Sequence, residues 1–154
     1  MMRAIEPWVE GPLTTFLSES GARLVLLMTA SGQVVAQHGF ARSLDVMGAA
    51  ALGAGIVAST EEIARLIGAG RFAAISRQAG SQGLYLAGFD TPRGRWIGLV
   101  VYDQGTSQGL VQLFFQRLAE DIARAAPTQA PAAGVLAEDF ERELNASLRA
   151  LFGR

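Results

Sequence analysis

Cysteine and lysine are both absent from the 154 residues, and histidine occurs once. Without cysteine there is no disulfide framework, thiolate nucleophile or cysteine metal site. Without lysine there is no P-loop lysine, Schiff-base lysine or lysine general base, and all thirteen cationic side chains are arginine. His38 alone would have to carry any imidazole metal site or Ser-His-Asp triad. At the end of the apolar run VVAQH it reads as a solvent-facing or capping residue. The formal net charge is -1, which gives no footprint for nucleic acid or an anionic membrane surface. Long apolar runs are missing too. The central uncharged stretch between Asp45 and Glu61 has fifteen residues, against roughly 18–20 for a membrane span. MMRAIEPWVEG at the N-terminus has no apolar signal-peptide core. The expectation is a cytoplasmic protein with no cofactor, no metal and no membrane span.

What is abundant is small side chains. MGAAALGAGIVAS (Met47–Ser59) holds three glycines and five alanines without a charge. Glycine inside a helix costs roughly 1 kcal/mol relative to alanine, so their presence needs a reason. A linker would be polar and aperiodic, and a Walker loop needs lysine. A helix whose backbone is closely approached by a neighbour remains. In helical spacing Ala50, Ala54 and Ala58 form one stripe, and Ala51, Gly55 and Ser59 the next. Half the residues are hydrophobic before the 18 glycines are added, above the roughly 45–50 % usual with glycine included. That excess leans towards a surface partly covered by a partner.

Along the chain, Pro12 suits the first turn of a helix that Gly21 ends, with Leu13, Phe16 and Leu17 on one face. Ala22–Thr29 and QVVAQH read as a hairpin turned at Ala30-Ser31-Gly32. A long helix from about Leu44 ends at Gly68, with Ile63, Leu66 and Ile67 on one side. Phe72–Gln78, Gln82–Phe89 and Trp96–Tyr102 read as three strands joined by hairpin turns. The next helix is capped by Thr106 or Ser107 and stops before Pro127. Residues 1–126 thus predict one α+β domain, α-β-β-α-β-β-β-α. Its five-stranded antiparallel sheet carries the middle helix on one face and the other two helices on the opposite face. Residues 127–134 (PTQAPAAG) form a linker and 135–154 an amphipathic tail helix. Its stripe includes Phe140, Leu144, Leu148 and Phe152, with Leu151 beside it, and suits docking either to a partner or to its own domain.

That order resembles the Roadblock family over roughly Leu13 to Ala125. The likeness is carried by GARLVLLMTASGQVVA, RLIG followed by GRF, GLYL, and VVYD-TS-GLV, and it is strongest to bacterial regulators of a Ras-like polarity GTPase. The resemblance implies a homodimer pairing through the second helix and the strand at Phe72–Gln78, with Ala51, Gly55, Ser59, Phe72 and Ile75 at the seam. It also implies a platform on which one small GTPase docks through Ala54, Ala58 and Glu62. Relatives usually carry asparagine where Ile56 stands, which implies either altered partner contacts or a residue turned into the seam. A linker and leucine-rich tail helix are also family features; the tail would reach a separate GTPase surface through Phe140, Leu144, Leu148, Leu151 and Phe152.

Arg71, Arg77, Arg93 and Arg95 are arginine-finger candidates by residue type, or simply a solubilised hairpin tip and strand flank. The resemblance implies activation without a finger, by rearranging the GTPase's own switch residues. A second reading is a non-activating scaffold that tethers a GTPase or another Roadblock protein at a cell pole or motor. An enzyme reading finds no nucleophile–base pair, and Asp103 reads as a loop carboxylate beside a helix N-terminus.

Overall fold

The computed structural model describes residues 2–41, 44–71, 74–127, 142 and 144–152. The apolar run ARLVLLMT is nearly continuous because both faces of its strand are covered. In β2 (Leu24–Thr29), Val25 and Leu27 enter one core while Leu26 and Met28 enter another. β2 sits between β3 (Val34–Gly39) and β6 (Gly94–Tyr102). Beyond β6 come β5 (Gln82–Thr91) and β4 (Ile75–Ala79). β1 (Met2–Ala4) pairs with β3 at the other side. All pairings are antiparallel and the order is β1-β3-β2-β6-β5-β4.

The sheet therefore has six strands where the sequence predicts five. β1 is too short to show an alternation of its own, and only its register on β3, from Met2 opposite His38 to Ala4 opposite Ala36, defines it.

Helices cover both faces, as expected. On one, α1 (Glu10–Ser20) and α3 (Gln108–Ala125) bury Leu13, Phe16, Val111, Phe115, Leu118 and Ile122. Phe115 is the hub of this layer, with ring centroids of Tyr85, Phe89 and Phe16 at 5.3, 5.6 and 6.2 Å. Gly21 ends α1 with φ +73, and Ser107 caps α3 by accepting a hydrogen bond from the Leu110 N–H.

On the other face, alone among the described residues, lies α2 (Val46–Leu66), capped by the Asp45 carboxylate, which accepts from the Gly48 N–H. Its length and composition would meet the measure of a membrane span, but it packs along the sheet. The smaller core beneath it joins Ala50, Ala54 and Val57 to Leu26, Met28, Leu86, Ile97 and Leu99. Residues 144–152 are helical, in the predicted tail; the predicted linker beyond Pro127, the tail's start and Phe140 lie outside the described residues.

Candidate functional site

The small side chains of α2 serve two different purposes. A Cβ on Gly53 would lie 3.3 Å from Leu86 and 3.4 Å from Leu99, so this glycine lets the helix settle onto the sheet. Gly55 faces nothing within 4 Å. The intramolecular core explains the first and leaves the second bare.

Ala54 belongs with Gly53. It is 5 % exposed and packs on the sheet, so the Ala50–Ala54–Ala58 stripe is not one surface. Residues four apart advance by about 40° around a helix of 3.6 residues per turn, and the stripe winds from the core at Ala50 to solvent at Ala58. Of the three residues that the resemblance implies for the GTPase contact, Ala54 is thus buried in the single chain and offers almost no free surface. Ala58 and Glu62 are exposed. Arg65 pairs with Glu62 at 2.5 Å and holds its carboxyl below the usual carboxylate range.

The outer surface of α2 divides into two flanks around a crest of Gly55 and Ser59. One begins at Ala51, over Gly32 in the β2–β3 turn, and continues through Ala58 and Glu62. The other carries larger side chains: Leu52 is 72 % exposed, Ile56 43 % and Ile63 54 %, with Ile67 further along, while Leu66 falls on the line of the crest. Ile56 and Ile63 stand one turn either side of Thr60, and Thr60 and Val57 line a narrow cleft with Ala74 and Ile75. The bulky flank therefore looks towards β4, whose outer edge has no partner strand among the described residues. Ile75 is half-buried against the α2 core, and Phe72 lies outside the described residues. An open strand edge beside a row of exposed aliphatic side chains is an adhesive surface. The seam that the resemblance implies runs through Ala51, Gly55 and Ser59, whereas the exposed aliphatic bulk stands beside it at Leu52, Ile56 and Ile63.

Two of the candidate arginines are fastened inside the chain. Arg93 pairs with Glu6 at 3.4 Å and lies over the Trp8 ring at 5.9 Å. Arg95 pairs with Glu61 at 2.6 Å and with Asp90 at 3.2 Å. They clamp the N-terminal segment and α2 rather than decorating a hairpin tip. Arg71 approaches Asp90 at 3.6 Å, and Arg77 is exposed on β4. Among the described residues no cluster of three or more His, Asp or Glu side chains is arranged to hold a metal.

Asp103 closes the loop after β6. Its carboxylate accepts from the Gly105 N–H at 2.9 Å and from Arg23 Nε at 2.5 Å, and these bonds, the backbone one foremost, hold its pKa below 3.8. A carboxyl depressed by folding contributes stability above its unfolded value, and that stability is lost as pH falls through the folded value. Thermal scans should therefore show Asp103→Asn melting below the parent chain at pH 7, with the gap closing at pH below 3.8. A gap that does not narrow at all as the pH falls below the ordinary aspartate range would show that the carboxylate is not the cause.

In the tail, Leu144, Leu148, Leu151 and Phe152 are all exposed. They form an uncovered stripe among the described residues.

Neither the family models nor the curated proteins give a match to this sequence; solved structures do. MglB of Myxococcus xanthus is 24 % identical with a TM-score of 0.69, the match covering 78 % of this chain and 95 % of that one. The gliding protein MglB of Thermus thermophilus is 30 % identical with a TM-score of 0.68, over 77 % of this chain and 88 % of that one. A Roadblock/LC7 domain from Streptomyces avermitilis shares the fold at 14 % identity, with a TM-score of 0.62 over 73 % and 92 % of the two chains. The layered sheet, the small-residue helix on its second face and the 30 % identity to a protein matched over most of its length converge: the chain belongs to the Roadblock family and is MglB-like within it.

Proposed function

We propose that this chain is a homodimeric regulator of a small Ras-like GTPase of the MglA type, acting in the cytoplasm in cell polarity or motility. The observation that carries the reading is the uncovered outer face of α2, small along one flank and bulky along the other, beside the open edge of β4. A second copy pairs across β4 and the Leu52–Ile56–Ile63 flank, so that Ile56 belongs to the seam. Gly55 and Ser59 on the crest let the sister helix come near the low end of the 8–10 Å interaxial range.

The paired helices then present their Ala51–Ala58–Glu62 flanks to one GTPase. The small side chains of Ala51 and Ala58 suit the approach of switch-region backbone, with the Glu62 carboxylate one turn further on. Arg93 and Arg95 are committed to carboxylates of the same chain, which supports activation without an inserted finger. The dimer binds the hydrolysis-competent arrangement of the switches better than the resting one and raises its population. The tail helix, on its linker, adds a second contact and so a higher effective concentration.

Ala58→Arg is the test. Ala58 is exposed, so fold and dimer mass should be unchanged, while affinity for the GTP-bound GTPase should fall at least about a hundredfold, or about 2.8 kcal/mol. Multiple-turnover GTP hydrolysis should rise with the parent chain and not with the variant. Binding without faster hydrolysis would identify a scaffold. Monomers produced by Ala58→Arg would mean that the two flanks have been assigned the wrong way round.

A further inference from the structure

Apolar burial holds the two halves of α2 unequally. Ala50, Gly53, Ala54 and Val57 seat its first half on the sheet, and beyond Val57 only Ala64 is fully buried. Alanine offers little area to grip with. Yet this second half carries Ala58 and Glu62.

A polar strut stands where the apolar contacts thin out. Arg95 at the start of β6 is 19 % exposed and uses three nitrogens at once. Nε and Nη2 donate to Glu61 Oε1 at 3.0 and 2.6 Å, and Nη1 donates to Asp90 at 3.2 Å. Its guanidinium lies flush on the backbone of Gly88, where a Cβ would come within 2.7 Å of Nη2. Charge-assisted bonds shielded from water are stronger than surface pairs, so the Glu61 arm outweighs the arm to the exposed Asp90.

We infer that Arg95 is a positioning residue: through Glu61 it sets the height and angle of the second half of α2 over the sheet, and with them the docking flank. The inference rests on the proposed docking of a GTPase there. Arginine suits the task because its planar fork reaches two carboxylates from one position, which the single ammonium of lysine does not.

The test compares Arg95→Gln, Arg95→Lys, Glu61→Ala and the Arg95→Gln/Glu61→Ala double variant. Amide hydrogen exchange of the protein alone should speed up about tenfold across Ala58–Leu66 in each single variant, with β2 and β6 unaffected. The double variant should match either single one, because both remove the same bond. Affinity for a purified MglA-like GTPase loaded with a non-hydrolysable GTP analogue should fall about tenfold in the same variants at unchanged dimer mass. Unchanged exchange in α2, faster exchange spread evenly over the sheet, or additive effects in the double variant would each overturn the inference. If exchange responds as expected but the GTPase ignores even the parent chain, the docking reading fails and the strut stands.

Discussion

Gly98→Ala lowers the stability of the domain by about 3 kcal/mol, although it adds a single methyl. Gly98 lies in β6, and a Cβ there would fall 2.3 and 2.4 Å from two ring carbons of Phe115. A ring tip can often swing away from such a clash. This one is 3 % exposed and caged by Phe16, Tyr85 and Phe89, so relief must come from moving α3 off the sheet. Interiors packed like organic crystals do not yield that space cheaply. The loss corresponds to a fall in melting temperature on the order of 10 °C. Urea titration should show a lower midpoint at unchanged slope. The cause can be separated from general strand disruption by a second site: in a Phe115→Leu background, which removes the clashing ring atoms, Gly98→Ala should cost less than about 1 kcal/mol. An undiminished cost there would move the explanation from the ring to the backbone.

Leu52→Asp/Ile63→Asp acts on the opposite side of the sheet and spares the fold. Both side chains are more than half exposed in the single chain, and substitutions at such positions usually change stability by less than about 0.5 kcal/mol each. In the proposed dimer they recur twice, so four apolar side chains leave the seam and four carboxylates crowd together. At about 1.5 kcal/mol for each lost burial, the association constant falls at least about ten-thousandfold even before repulsion is added. Sedimentation at micromolar concentration should find monomers with the melting temperature of the parent's individual subunit. A dimer of parental strength would place the seam elsewhere on the molecule.

Much of this architecture is legible in the sequence for a physical reason: burial imposes a period. The Val25–Met28 run reads as a fully covered strand because two cores claim alternate residues. Ser107 and the stop before Pro127 mark α3 because its end groups need partners. The same reasoning misses β1, whose three residues acquire their pairing wholly from β3. It also misreads the middle of α2, where alanine occupies core and surface alike. A residue type that fits both environments carries no inside-or-outside signal, so Ala54 and Ala58 looked equivalent until the sheet was placed beneath them. Bulk marks the difference better: Leu52, Ile56 and Ile63 share one flank that no part of the described chain covers. Arg95 illustrates another limit. In sequence it sits at a hairpin tip, whereas its partner Glu61 is 34 positions away and becomes a neighbour only through the crossing of α2 over the sheet.

One reading of mass bears most directly on whether the bare ridge of α2 serves a sister subunit and a GTPase together. Native mass spectrometry of the full chain, alone and mixed with an MglA-like GTPase in its GTP form, gives the stoichiometry in a single experiment. The expected species are a dimer at twice the 16.3 kDa chain mass and, on mixing, two chains with one GTPase. A single chain in both samples, with no ternary species at any ratio, contradicts that picture.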